Sequence, residues 1–235
     1  SLKTMYSGYW RTRSASPKSA GDAALSGARL LHLSGITPAL GPDAANAALA
    51  AARAARRLGV PVSFDGNYRA MLWEAWDSNP RAILSELIGL ADILFGNHRD
   101  LSLVLDRDFS GDGADRRREA AEAGFAAFPN LRIIASTARH ILSADHHRIA
   151  ARVDMRDGAH QTDEADVAGI VDRIGAGDAF AAGVLHAHLG GGDVRAMAET
   201  GLALTALKHS LPGDASLFGQ RDIDAFMAGG LDVRR

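Results

Sequence analysis

Short apolar runs alternate with longer stretches in which apolar positions recur every three or four residues, and this alternation persists from Arg29 to Leu131. Runs of the first kind, at 29–34, 60–64, 93–95 and 131–135, predict β-strands. Stretches of the second kind, at 43–58, 81–90 and 115–128, predict helices. The punctuation agrees with the periods. Gly59 stops the Ala-rich first helix, and Asn79-Pro80 reads as a cap and first-position pair for the second. Strands alternating with helices argue for a mostly parallel sheet with helices on its faces. Beyond Thr137 the rhythm loosens. Residues 139–145 and 147–153 alternate weakly and read as an antiparallel pair. His146-His147 is placed in its turn rather than in a metal site, because no acidic or histidine partner stands at helical spacing. Residues 154–164 are polar and loop-like. Helices are expected again at 179–189, stopped by Gly190-Gly191-Gly192; at 193–211, ended by Pro212-Gly213-Asp214; and at 222–227.

In open sheets of this kind, ligands sit beyond the carboxyl ends of the strands. The predicted ends are polar: Ser34-Gly35, Asp65-Gly66-Asn67-Tyr68-Arg69, Asn97-His98-Arg99-Asp100 and Ser136-Thr137. The most informative stretch is Val171-Asp172-Arg173-Ile174-Gly175-Ala176-Gly177-Asp178-Ala179-Phe180, where an apolar segment runs into two glycines, an acid and then a helix. A first helical turn leaves backbone N–H groups without partners, and the peptide dipoles place positive charge there. Gly175 and Gly177 carry no side chain to shield those donors, so an anion can approach closely. Asp178 stands at the mouth of that site. A carboxylate is the wrong charge to bind phosphate there, but it can accept a proton from a group that attacks the phosphate. On the residues alone, a capped turn without chemistry is the competing reading.

Composition alters this picture little. The 235 residues suffice for one sizeable α/β domain or two small ones. A chain that is 47% hydrophobic and 23% charged is an ordinary globular one, and a net charge of −2 gives no reason to expect nucleic acid or an acidic membrane surface as partner. The absence of cysteine excludes disulfides and thiolate metal sites and agrees with a cytoplasmic setting. No apolar run approaches the ~20 residues that span a bilayer. The opening Ser1-Leu2-Lys3-Thr4 is neither a signal peptide nor an initiator, so the natural start is expected upstream.

The glycine stretch resembles the C-terminal signature of the ribokinase-like, or PfkB-type, sugar kinases, Asp-Thr-x-Gly-Ala-Gly-Asp-x-Phe. By that resemblance Asp178 is the catalytic base, and the amides of Gly175, Ala176 and Gly177 are the anion hole for the transferred phosphoryl group. Arg173 stands where Thr is usual; in many members that Asp–Thr stretch helps hold a monovalent cation. Asn97-His98-Arg99-Asp100 is similar to the family's Asn-x-x-Glu element, associated with magnesium and phosphate. Asp100 is shorter than Glu, so contact with Mg²⁺ is expected through water. A helix cap is the alternative for Asn97 and Asp100. The resemblance further implies ATP contacts at Asn97, Ser136 and Lys208, although periodicity alone makes Lys208 a polar-face residue of its helix. Relatives often carry a Thr/Lys-x-Gly-x-x-Gly turn near the nucleotide; Ser136-Thr137-Ala138-Arg139 has no glycine.

Within the family, the resemblance is greatest to the 2-keto-3-deoxygluconate kinases. It is carried by Tyr9-Trp10-Arg11-Thr12-Arg13-Ser14-Ala15, by the stretch from Phe64 through Asn67 and Arg69 to Trp73, and by Leu207-Lys208-His209-Ser210-Leu211-Pro212-Gly213-Asp214. It implies substrate contacts at Tyr9, Arg11, Asn67, Arg69 and Asp178. A sugar acid carries a carboxylate, which arginine grips bidentately; a structural ion pair is the alternative for either arginine. The reaction implied is transfer of the ATP γ-phosphoryl group to a primary hydroxyl, O6 of 2-keto-3-deoxygluconate, giving the 6-phosphate. Fructokinase, ribokinase or nucleoside kinase activity is the alternative within the family, and a non-catalytic sugar-binding homologue the remoter one. The fold implied is a three-layer α/β/α sandwich with a mostly parallel central sheet and a small β lid, the lid and first strands being incomplete. Residues 1–17 are then the lid remnant and 18–235 the kinase core. A homo-oligomer is expected, since relatives associate through the flap.

Overall fold

The computed structural model describes residues 3–4 and 17–229. The chain divides into two compact units, Ser1–Ile134 and Ala135–Arg235.

In the first unit, β1 (Lys3–Thr4), β2 (Leu31–Ser34), β3 (Val62–Asp65) and β4 (Ile93–Phe95) pair in that order, all parallel. Leu33 lies opposite Phe64, and Phe64 opposite Leu94. Parallel strands are covered on both faces, so their residues must be apolar in runs rather than in alternation; all three residues of β4 are buried. The helices are α1 (Pro17–Leu25), α2 (Ile36–Ala39), α3 (Pro42–Arg57), α4 (Ala70–Trp73), α5 (Pro80–Leu90), α6 (His98–Leu105) and α7 (Gly113–Ala127). Ala45, Ala48, Ala51, Ala52 and Ala55 give α3 a narrow buried face that packs on β2, β3 and α5. The Asn79 side chain accepts a hydrogen bond from the Ala82 amide at 3.1 Å, the expected cap of α5. Phe64, Trp73, Leu87, Ile88, Leu94, Leu101 and Leu131 fill the core. Trp73 and Trp76 stack at 6.1 Å, and the Trp76 indole N–H donates to the Ala39 carbonyl at 3.0 Å, so this pair serves packing. Between the strands, His32 Nδ1 meets Ser63 Oγ at 2.9 Å, and burial lowers the His32 pKa to about 4.

In the second unit, β6 (His146–Met155) is antiparallel both to β7 (Ala159–Gln161) and to β8 (Ala165–Ala168), with Val153 opposite His160 and His147 opposite Val167. β5 (Ile133–Ser143) neighbours β6. Then follow α8 (Ala176–Leu189), α9 (Val194–Lys208) and α10 (Gln220–Met227). α8 and α9 approach through facing glycines: a Cβ on Gly183 would fall 2.6 Å from the Thr200 carbonyl oxygen, and one on Gly201 2.7 Å from the Phe180 ring. On β6, Arg152 and Asp154 form a buried bidentate ion pair at 2.7 and 2.8 Å.

Several expectations are corrected here. β5 does not stop at Ala135 but continues through Ser136 and Thr137 to Ser143, because no glycine interrupts it. The hairpin turn is Ala144-Asp145, and His146 and His147 begin β6 instead of forming the turn. His146 pairs with Asp166 at 2.8 Å. The polar segment 154–164 contains β7, and α8 starts at Ala176, three residues earlier than predicted. The helices α1, α2 and α4 were not predicted; α2 and α4, of four residues each, are too brief to show an amphipathic period.

Candidate active site

The carboxyl ends of β2, β3 and β4 are stitched together by small residues. A Cβ on Gly35 would lie 1.9 Å from the Gly66 carbonyl oxygen, and one on Gly66 would lie 3.0 Å from Asp100 Oδ1. The Gly35 amide donates to the Asp65 carbonyl at 2.7 Å, and the Gly66 amide to the Phe95 carbonyl at 2.8 Å. These ties fix the loop after β3. Its Asn67 takes a positive φ of 34°, and the Asn67 amide donates to Asp65 Oδ1 at 3.2 Å. The Asn67 side-chain oxygen Oδ1 in turn accepts from Arg69 Nε at 3.1 Å. Arg69 is exposed, and among the described residues no carboxylate pairs with it. The alternative of a structural ion pair therefore finds no partner there.

At the end of β4, Asn97 and Asp100 form a capping box on α6. Asn97 Oδ1 accepts from the Arg99 amide at 2.8 Å, and Asp100 Oδ2 accepts from the Asn97 amide at 2.7 Å. Burial raises the Asp100 pKa, opposed by the amides of Asn97 and Asp100 itself. Both side chains already hold lone pairs on their own helix. They fit the outer sphere of a hydrated cation better than a closed cage, and among the described residues no group of three His, Asp or Glu could hold a metal ion unaided.

The glycine turn lies in the second unit. Gly175 caps α8 with φ 76° and ψ 0°, and a Cβ there would sit 2.0 Å from the Asp214 carbonyl oxygen. Only glycine satisfies both conditions. Nothing lies within 4 Å of a Cβ built on Gly177, so the approach to the first turn of α8 is open. That opening at the N-terminus of a 14-residue helix suits a phosphate group. Asp178 stands in this first turn and is exposed; partial desolvation and then the neighbouring Asp214 carboxylate raise its pKa. A carboxylate held toward its neutral form is a better proton acceptor than a free one.

What holds the turn escaped the sequence reading. Asp172 Oδ1 accepts from the Ile174 amide and Oδ2 from the Gly213 amide, each at 2.9 Å. Those two bonds, in that order, lead the causes that lower the Asp172 pKa. The Val171 and Asp172 amides donate to the His209 carbonyl at 2.8 and 3.3 Å, and Thr205 Oγ1 donates to the Ala176 carbonyl at 2.8 Å. The only signal for these was proximity to the motif at one end and to Pro212-Gly213-Asp214 at the other. Lys208, read by periodicity as a polar-face residue, is wholly buried, with Nζ donating to the Leu211 carbonyl at 3.0 Å. Ser136 lies half-buried within β5 rather than past its end. Tyr9 and Arg11 lie outside the described residues.

A mixed α/β chain with a glycine turn opening a helix after its last strand has the ribokinase-like fold that was expected. The chain belongs to the pfkB family of carbohydrate kinases, which it matches over residues 7–217. It is 28% identical over 203 residues to a 2-dehydro-3-deoxygalactonokinase of Haloferax volcanii, covering 86% of this chain and 58% of that protein. It is 30% identical over 181 residues to an ATP-dependent ribose-1-phosphate kinase of Halopiger xanaduensis, covering 77% and 51%. The solved 2-dehydro-3-deoxygluconokinase of Thermotoga maritima superposes with a TM-score of 0.82 at 31% identity, over 92% of this chain and 66% of that one. The chain thus spans between half and two thirds of the length of these proteins.

Proposed function

We propose that this chain carries the catalytic part of an ATP-dependent sugar kinase whose acceptor is a 2-keto-3-deoxy sugar acid, 2-keto-3-deoxygluconate first among them. The observation that carries the kinase reading is the glycine turn: an open helix N-terminus, fixed by Gly175 and Asp172, with Asp178 in its first turn. Asp178 would take the proton of the primary hydroxyl as that oxygen attacks the γ-phosphorus. The amides of Gly175, Ala176 and Gly177 would meet the charge on the transferred group, since phosphoryl transfer asks mostly for positioning and neutralisation. Mg²⁺, when bound, supplies further neutralising charge; Asn97 and Asp100 would hold it through water. ATP would also run past Ser136.

The sugar-acid reading rests on Arg69, an exposed guanidinium oriented by Asn67 and without a carboxylate partner among the described residues. It agrees with the names of the Haloferax and Thermotoga proteins. Arg11 and Tyr9 would complete that end. The test is a product assay with ATP and 2-keto-3-deoxygluconate, fructose, ribose and adenosine in parallel. Phosphorylation of the acid in preference to the neutral sugars is expected, with Asp178→Asn lowering kcat by about 10²–10⁴-fold. Turnover of fructose, ribose or adenosine but not the acid would move the assignment to another member of the family. Undiminished turnover by Asp178→Asn would remove the proposed base.

A further inference from the structure

Lys208 is the last residue of α9 and has no exposed surface. Burying an ammonium is costly unless its donors and its charge are used. Here the charge lies at a helix carboxyl end, where a cation is favoured. The side chain bends onto the turn that follows: Nζ donates to the Leu211 carbonyl at 3.0 Å, while the Leu211 amide donates back to the Lys208 carbonyl at 3.1 Å. The residues just beyond are those on which the glycine turn rests. His209 offers its carbonyl to the amides of Val171 and Asp172, Gly213 offers its amide to Asp172, and Asp214 abuts Gly175 so closely that no Cβ fits between them. Main-chain bonding alone would close the turn after α9. The ammonium adds a fixed place for the Leu211 carbonyl and a positive charge that favours ionised Asp172.

We propose that Lys208 is a positioning residue for phosphoryl transfer: its ammonium sets the 209–214 turn and, through Asp172, the glycine-turn amides, without touching the nucleotide. This inference rests on the kinase reading above. A displacement of about 1 Å in groups that meet a transition state costs on the order of 100-fold in rate, so the loss belongs in kcat and not in nucleotide binding.

The test uses the full chain in three forms, wild type, Lys208→Ala and Lys208→Met, with kcat, KM for ATP, ADP affinity by calorimetry and thermal melting measured for each. Lys208→Ala is expected to lose about 10- to 100-fold in kcat with ADP affinity nearly unchanged. Added methylammonium, which can reoccupy the vacated space, should restore part of the rate. Lys208→Met fills the space without a charge; it should fold, show the same loss in kcat and gain nothing from the amine. A raised KM for ATP with weakened ADP binding would make Lys208 a nucleotide contact and overturn the inference. So would an unchanged kcat, a loss in Lys208→Ala that methylammonium does not relieve, or failure of Lys208→Met to fold, which would make the ammonium a folding element. If the wild type phosphorylates none of the four acceptors, the kinase reading itself fails, whereas an active wild type with indifferent variants rejects only the role given to Lys208.

Discussion

Asp172 and Asp178 stand six residues apart and meet opposite surroundings. Asp172 spends both oxygens on backbone amides, which hold its carboxyl below the ordinary range, whereas desolvation and the Asp214 carboxylate push Asp178 above it. Paired groups whose surroundings drive their pKa values apart commonly divide structural from chemical work. If Asp178 is the base proposed above, it must be ionised to act, so the acid limb of kcat/KM should lie above the ordinary carboxylate value of 3.8, and Asp214→Asn should move that limb to lower pH. A pH–rate profile unmoved by Asp214→Asn would deny the coupling. His32 gives a second pH dependence, this time of stability. Its pKa is lowered from 6.5 to about 4 in the folded chain, so the unfolded chain binds the extra proton first. The contribution is fully present above pH 6.5 and is lost as pH falls toward 4. Melting temperature followed across that window should fall more steeply in the wild type than in His32→Gln. At this scale the sequence disclosed Asp178 through its motif, but Asp172 as the fastener of the turn depends on Gly213, 41 residues away, a relation that no local spacing encodes.

Among the elements, the agreement and the misses have physical causes. Asn79-Pro80 announced α5, and the apolar triplet Ile93–Phe95 announced β4, because caps and buried parallel strands are written locally. The end of β5 and the hairpin turn were misplaced because the strand's exposed half alternates weakly, with only the isolated Ile141-Leu142 standing out. The turn opening α8 was legible as a glycine turn, but the reason for its first glycine was not. Gly175→Ala should cost about 1–3 kcal/mol from the left-handed backbone alone, plus the displacement of Asp214 from a Cβ that would stand 2.0 Å from its carbonyl oxygen. Gly177→Ala should melt with the wild type, since nothing lies within 4 Å of its Cβ, yet weaken ATP binding by narrowing the way to the amides. Equal melting of the two variants would show that Gly175 is not under the constraint described.

At the scale of the whole molecule, selectivity for an acidic acceptor is the property to test. If Arg69 grips the acceptor's carboxylate, Arg69→Ala should raise KM for the sugar acid by about tenfold or more, as loss of a charge-assisted bond implies, and leave KM for ATP nearly unchanged. Equal effects on both would assign Arg69 to something other than the acid. The sequence by itself determined the α/β class, because strand and helix periods are local. It also determined the family, because the glycine motif is one continuous stretch, and it set the polar clusters that follow β2, β3 and β4 at strand ends. Tertiary structure alone decided what those clusters do to one another. It brought Gly35, Gly66 and Asp100 together at the ends of three strands. It buried Lys208, which periodicity had set on a polar helix face, and it set Asp172 and Asp214 against the glycine turn from opposite ends of two helices. The physical reason is the same throughout. Hydrogen bonds and apolar periods between near neighbours can be read along the chain, whereas burial and the partners of a buried charge come from residues brought close only by packing.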